Sequence, residues 1–400
     1  MKRSLDDYRD IVGDEVISKI YKSATSLSKK HVVHISSTFQ GGGVAEMLNS
    51  LIPLMNDVWV DTGWRILHGA PDFFTVTKKF HNSLQGDKIN LTPMKKRLYT
   101  ACNENFAILT HLDHDCIIVH DPQPLPLVKF YKKRQPWIWR CHIDVSYPNE
   151  QVWDYLKTFI LRYDMVIFSD ERYKKKDLPI PQRVIRPSID PLSVKNKEIS
   201  DETVTKYLKK FKVPIDKPII AQISRFDKWK DAEGVIKVFE HVKEKVDCRL
   251  ILCGAMATDD PEGHRIYSRL IRKANNASDV NIVIGENQVF VNALQRASSV
   301  IIQKSLREGF ALTVTEALWK GKPVVASNVG GLPVQIIDGE TGFLVDPCDV
   351  EGCADRIITL LKDSKLAKEM GQKGKEWVKK NFLITRHLLD YINLLSELVK

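Results

Sequence analysis

Short apolar runs alternate with longer stretches of helical periodicity along most of this chain. His31–Ser36, Trp64–Leu67, Cys116–Val119, Trp137–Arg140 and Tyr163–Ser169 read as strands. Their near-continuous apolar character is that of parallel strands covered on both faces. A second series of such runs falls at Pro218–Ser224, Arg249–Cys253, Val280–Ile284, Val300–Gln303 and Pro323–Ser327. Between them the pattern predicts helices at Val44–Leu51, from Ala232 onward, at Pro261–Asn275, at Gln288–Ala297 and from about Ala311 to Lys320. Ser4–Lys30 reads as helical on Ile11, Val12, Val16, Ile17 and Ile20, and 350–400 reads as helical throughout. Phe73–Gly86 has no clear assignment by propensity. Alternating strands and helices predict an α/β protein with two Rossmann-like, doubly wound parallel-sheet domains. Prolines in Val184–Pro191 and the polar run Ser193–Asp201 mark a linker, giving domains of 1–190 and 191–381.

The most informative stretch is Ser305–Leu318, which carries Glu308 and Glu316 eight positions apart. Lys320, Gly321 and Pro323 are stop signals for a helix over this segment. Glu308 then lies ahead of the helix N-terminus and Glu316 more than a turn inside, about 10 Å further along the axis. The free N–H groups of the first turn lie between them, where the dipole favours an anion. A nucleotide-sugar, with hydroxyls at both ends and phosphate in the middle, fits that layout. Two glutamates at this spacing also arise by chance on solvated helices. Here a strand precedes the loop and another follows the helix, and ligands bind at the strand C-terminal ends of such units.

The stretch resembles the signature of the family 4 retaining glycosyltransferases. That resemblance implies the GT-B architecture, in which two such domains face each other across a cleft and the last helix, about 382–400, packs back on the first domain. It also implies that Glu308 contacts the donor sugar, that Glu316 contacts the ribose hydroxyls, and that Gly285-Glu286-Asn287 holds the base by backbone contacts.

Other strand ends carry the remaining candidates. After His31–Ser36 come Gly41, Gly42 and Gly43, then a helix, so backbone can approach a ligand at a helix N-terminus. The run is neither a dinucleotide fingerprint nor an ATPase phosphate loop, and alone it is equally a tight turn. His120-Asp121 and His142-Ile143-Asp144 each put a histidine and an aspartate at a strand C-terminus. Arg225 and Lys230 follow Pro218–Ser224 and could supply fixed positive charge to a diphosphate leaving group. In the family an arginine and a lysine hold this place with that role, and the glycine loop faces the donor phosphate and the acceptor.

Size and charge narrow the field. At 400 residues, 43% hydrophobic and 28% charged, the composition is that of a soluble globular enzyme. No apolar run reaches membrane-helix length and the N-terminal residues lack a signal-peptide core, so a cytoplasmic location is expected, with no membrane partner. The formal charge of +10 favours anionic ligands, but the basic clusters are short and match no nucleic-acid module. Seven scattered cysteines read as buried free thiols.

The N-terminal half refines the resemblance. Ser36-Ser37-Thr38, Gly41–Leu48, Phe73-Phe74, Thr77-Lys78, His81-Asn82, Leu84-Gln85-Gly86, His120–Gln123 and Trp139–Asp144 look like the trehalose-forming branch of the family, with the trehalose phosphorylases close to it. It implies transfer of glucose from a nucleoside diphosphate glucose, ADP-glucose or UDP-glucose, to free glucose, giving α,α-trehalose with retention. On that reading His142, Arg225, Lys230 and Glu308 are catalytic. Gly42, Gly43, Gly309, Phe310, Ala311, Leu312 and Glu316 bind the donor, and Asp121, Asp144 and Lys78 bind the acceptor. No metal site and no obligatory cofactor are expected; a divalent cation (Mg) would at most stimulate. Partners are the nucleoside diphosphate glucose and glucose or trehalose, and a homodimer stays open. The alternatives are a trehalose phosphorylase using glucose 1-phosphate and a non-catalytic nucleotide-sugar sensor. An NAD-dependent oxidoreductase is disfavoured by the missing fingerprint. Domain closure about Pro187–Asp201 is a further expectation.

Overall fold

The structure, a computed structural model, describes residues 3–254, 263–274, 279–285 and 287–399. The chain divides into two compact units, Met1–Ser188 with Ile384–Lys400, and Ile189–Leu383.

The first unit holds β1 (His31–Ser36), β2 (Asp61–Ile66), β3 (Cys116–His120), β4 (Trp137–Arg140), β5 (Met165–Phe168) and β6 (Gln182–Val184). All pair in parallel in the order β2-β1-β3-β4-β5-β6. Strand order reverses at β1, so the gap beside its C-terminal end, next to β3, is the switch point where doubly wound sheets hold ligands. The glycine loop follows β1 and Asp121 follows β3 at that edge. One face of the sheet buries Trp137, Trp139, Phe73, Phe80 and Tyr99 in a continuous aromatic core.

The second unit holds β7 (Ile219–Ile223), β8 (Arg249–Gly254), β9 (Val280–Ile284), β10 (Val300–Gln303), β11 (Val324–Ser327) and β12 (Phe343–Val345). These too are all parallel, in the order β12-β11-β10-β7-β8-β9, and the reversal falls between β7 and β10. Arg225 and Lys230 follow the first of those strands and Glu308 the second. Ile220, Val235, Leu252, Ile302 and Ile357 belong to its core.

Several elements differ from the sequence expectation. Phe73–Gly86 lies largely in a helix, Pro71–Leu84, with proline in the first turn and Phe73, Val76, Phe80 and Leu84 buried along one face. Tertiary burial decides what local propensity left open. The N-terminal helical region is broken at Gly13, whose φ of 85° separates Arg9–Val12 from Asp14–Ala24. The 350–400 region is three helices, Val350–Lys362, Ser364–Asn381 and Ile384–Leu398, with Asp363 capping the second. The three-residue strands β6 and β12 are too short to show a period. Of the helix expected over Pro261–Asn275, Gly263–Ala274 is described, and both of its expected end residues lie outside the described residues.

Candidate active site

In the second unit the loops after β7 and β10 are tied together by a buried amide and by backbone. Gln222, buried in β7, donates to the Lys230 carbonyl at 2.9 Å and accepts from the Lys304 N–H at 3.0 Å. The Leu306 N–H adds a 2.8 Å bond to the Trp229 carbonyl. A buried amide satisfied on both sides fixes one loop against the other. Lys230 Nζ and Glu308 Oε2 therefore meet at 2.5 Å. Ser305 Oγ donates to the same oxygen at 3.1 Å, and Gln303 Nε2 lies 3.5 Å away. Glu308 is 5% exposed, so its charge is compensated by these groups rather than by water. Arg225 Nη2 stands 3.7 Å from Asp227 Oδ2; Asp227 is buried and caps the turn Lys228–Lys230 by accepting from the Trp229 N–H at 2.9 Å.

The helix after this loop spans Leu312–Trp319, starting one residue later than expected. Its cap, Ala311, has a φ of 70°, a left-handed conformation uncommon for a residue with a Cβ and costly enough to need support from its surroundings. Gln335 supplies part of it by donating to the Phe310 carbonyl, while the Gly331 N–H bonds the Glu308 carbonyl at 3.1 Å. Gly309, Phe310, Ala311 and Leu312 thus form a braced turn at the helix N-terminus. Glu316 lies inside the helix and is 1% exposed. Lys195 Nζ is 3.3 Å from its Oε1 and Gln295 Nε2 3.3 Å from its Oε2. Lys320, one turn on, donates to Asn196 Oδ1 at 2.9 Å, and burial pulls its ammonium down to about 7 against the raising effect of Glu316.

The first unit holds its own cluster. Gly41 has a φ of 81°, which glycine adopts freely, and Gly42 and Gly43 lead into the helix Gly43–Asp57. Asp121, itself at a φ of 61°, accepts the His142 N–H on Oδ1 at 2.8 Å, so the two strand-end motifs are joined. Asp144 is buried and accepts the Ser146 N–H at 2.9 Å. Lys78 is buried on the helix Pro71–Leu84. His142 Nε2 lies 2.9 Å from His120 Nδ1, and His120 Nε2 lies 2.9 Å from His34 Nδ1. Burial takes His34 down to about 3 and, with the Arg140 charge, drives His120 and His142 well below the usual imidazole range.

Sequence reasoning places His120 at a strand end without a role of its own, and does not point to His34, Lys195 or Gln295 as participants. A polar residue inside an otherwise apolar strand is the available signal for His34. Nothing local marks Lys195 or Gln295, because their partner is far away in sequence. Glu286 lies outside the described residues. Among the described residues no group of three or more His, Cys, Asp or Glu side chains could hold a metal ion, and no helix is long and apolar enough to cross a membrane.

Comparison with known proteins agrees with this architecture. A family model described as "Trehalose synthase, N-terminal domain" matches residues 34–175, and one described as "Glycosyl transferases group 1" matches residues 204–377. The trehalose synthase of Thermococcus litoralis is 48% identical over 99% of this chain and 97% of its own length. A trehalose phosphorylase of Pleurotus pulmonarius is 29% identical over 94% of this chain but only 58% of its own length. Among solved structures, the UDP-forming α,α-trehalose-phosphate synthase of Burkholderia xenovorans in complex with glucose-6-phosphate superposes with a TM-score of 0.73, at 13% identity, over 92% of this chain and 100% of that one. The fold is thus the α/β two-domain GT-B class, and the near-full-length identity is decisive for kinship: this chain belongs to the trehalose synthase family of GT-B glycosyltransferases.

Proposed function

We propose that the protein is a retaining glucosyltransferase that moves glucose from a nucleoside diphosphate glucose to the anomeric hydroxyl of free glucose, forming α,α-trehalose. The observation that carries the reading is the paired setting of Glu308 and Glu316 around the braced turn Gly309–Leu312, in a chain 48% identical over nearly its full length to a trehalose synthase. Glu316, with its carboxylate held by Lys195 and Gln295, takes the ribose hydroxyls, a contact that a glucose 1-phosphate donor would leave unused. Arg225 and Lys230 supply fixed positive charge to the diphosphate as it leaves, and the amides of Gly309–Leu312 add donors at the helix N-terminus.

A double displacement through an enzyme carboxylate needs two carboxyl groups about 5.5 Å apart on the reacting sugar. Glu308 and Glu316 are separated by more than a helical turn, and each is engaged by its own lysine. The reaction is therefore a front-face substitution. The bond from the sugar C1 to the phosphate oxygen breaks with its electron pair going to the diphosphate. The acceptor hydroxyl oxygen bonds C1 on the same face, and its proton passes to a diphosphate oxygen. Glu308 holds the donor sugar, and Gly42 and Gly43 let the backbone approach the phosphates. His142 steadies the sugar, while Asp121, Asp144 and Lys78 receive the acceptor. We place the reaction in the cytoplasm, where the seven free cysteines stay reduced.

The test is glucose transfer by the purified protein, with free glucose and, in parallel, ADP-glucose, UDP-glucose, GDP-glucose or glucose 1-phosphate, the disaccharide being identified by NMR. Trehalose from a nucleoside diphosphate glucose but not from glucose 1-phosphate is the expected result. Product from glucose 1-phosphate alone would assign the phosphorylase reaction instead.

A further inference from the structure

Three histidines on neighbouring strands lie along one diagonal of the first unit's sheet. β1 pairs with β3 so that His34 sits opposite Ile118, and β3 pairs with β4 so that His120 sits opposite Arg140. Paired residues of parallel strands share a face, as do residues two apart. His34, His120 and Arg140 therefore point to the same side, and His142 continues beyond the end of β4. Each step from His34 to His120 to His142 moves one strand across and two residues toward the C-terminal edge. The rings follow: His34 and His120 stack with centroids 5.2 Å apart, His120 and His142 with centroids 5.3 Å apart.

The two nitrogen contacts of 2.9 Å restrict the protons severely. Each contact consumes one N–H and one lone pair, and a neutral imidazole owns one of each. Only two arrangements satisfy both contacts: all three rings protonated at Nδ1, or all three at Nε2. The ends of the chain, His34 Nε2 and His142 Nδ1, are buried atoms with no hydrogen-bond partner among the described residues. One end must carry an N–H and the other a lone pair. His34 is wholly buried within the sheet, so an N–H at its Nε2 has nothing to donate to, whereas His142, half-buried as a residue, stands just past the end of β4 at the edge where doubly wound sheets take ligands.

We propose that His34 and His120 are positioning residues which lock His142 into its Nδ1–H tautomer, presenting that N–H to a hydroxyl oxygen of the transferred sugar. The sugar contact rests on the function proposed above; the tautomer lock does not. Burial that keeps all three rings neutral sustains the arrangement, since one added proton would break the donor-acceptor alternation.

The experiment is long-range proton–nitrogen correlation NMR of the protein labelled with 15N at histidine. His34, His120 and His142 are assigned from His34→Leu, His120→Phe and His142→Gln variants. Expected are three Nδ1–H patterns in the unsubstituted protein, and loss of the single tautomer at His142 in His120→Phe and His34→Leu. With the donor that supports turnover, kcat should fall on the order of 10-fold in both variants while the donor KM stays nearly constant, as for outer partners that orient a working histidine. An Nε2–H pattern at His142, or a His142 pattern untouched by His120→Phe, would overturn the proposal. The unsubstituted spectrum decides the tautomer even if a variant fails to fold. If the patterns are as expected and no donor yields trehalose, the lock stands and the functional reading falls.

Discussion

Four neutral histidines in one core make acid the most revealing perturbation. His34, His120 and His387 are buried and His142 is half-buried; burial alone holds His34 at about 3, and burial with nearby positive charge, Arg140 among it, holds the other three well below the ordinary imidazole value. Tyr391 packs between His34 and His387, His387 Nδ1 donates to the Arg186 carbonyl at 2.9 Å, and among the described residues no carboxylate is bonded to these rings. The unfolded chain titrates at about 6.5 per ring. The sign follows: below that value the unfolded state binds more protons than the native state, so stability is fully present above about pH 6.5 and is lost as pH falls. For His34 the loss continues down to its folded value of about 3. At pH 5.5 each ring costs about 1.4 kcal/mol, and four cost about 6 kcal/mol. A domain with a total stability of about 5–15 kcal/mol should therefore melt at an acidity that leaves its carboxylates ionised.

Calorimetry in buffers of contrasting ionisation enthalpy reads the proton count directly. Unfolding at pH 5.5 should take up nearly four protons from these rings, with a fraction more from His114, whose ring is also lowered by partial burial. His387→Phe should remove one proton from the count whatever it does to the midpoint. A stability unchanged between pH 7.5 and 5.5, or an uptake below about two protons, would refute the claim that these rings are neutral in the native state.

Three substitutions probe the second unit. Arg225→Ala should lower turnover on the order of 100-fold at saturating donor, as expected for a preorganised donor to a leaving group, and a nearly normal rate would remove it from the mechanism. Glu316→Gln should raise KM for the nucleoside diphosphate glucose about 10-fold and leave KM for glucose unchanged; equal effects on both would mean that Glu316 is not a ribose contact. Gly331→Ala would place a Cβ 2.5 Å from the Gly309 carbonyl oxygen and 2.8 Å from the Phe310 Cα, both backbone atoms that cannot swing aside. It should cost about 1–3 kcal/mol in thermal unfolding and weaken donor binding through the displaced turn; an unshifted midpoint would show that the turn is not braced there.

What the sequence reveals and what it hides have one physical cause. Strands such as Cys116–His120 and Val300–Gln303 announce themselves because their burial is written locally as unbroken apolar runs. The loop Ser305–Ala311 and the helix after it are legible for the same reason: strand, glycine and helix are successive in the chain, and Glu308 and Glu316 are ordered by helix geometry alone. Relations across strands are not local. Gln222 reads as an interior polar residue of β7 until the fold shows it bonding two loops, and Lys195 becomes the cation of Glu316 only after the 120 residues between them have been folded away. The histidines are the sharper case. Placing His120 and His142 at strand ends follows from the apolar runs before them, but the link to His34 depends on the register of β1 against β3, which no single strand encodes. A sequence therefore shows which side chains stand at the working edge of each sheet, while the groups that hold them there emerge from pairing. The burial that enforces those pairings also carries a cost, visible in the acid sensitivity expected of the first unit.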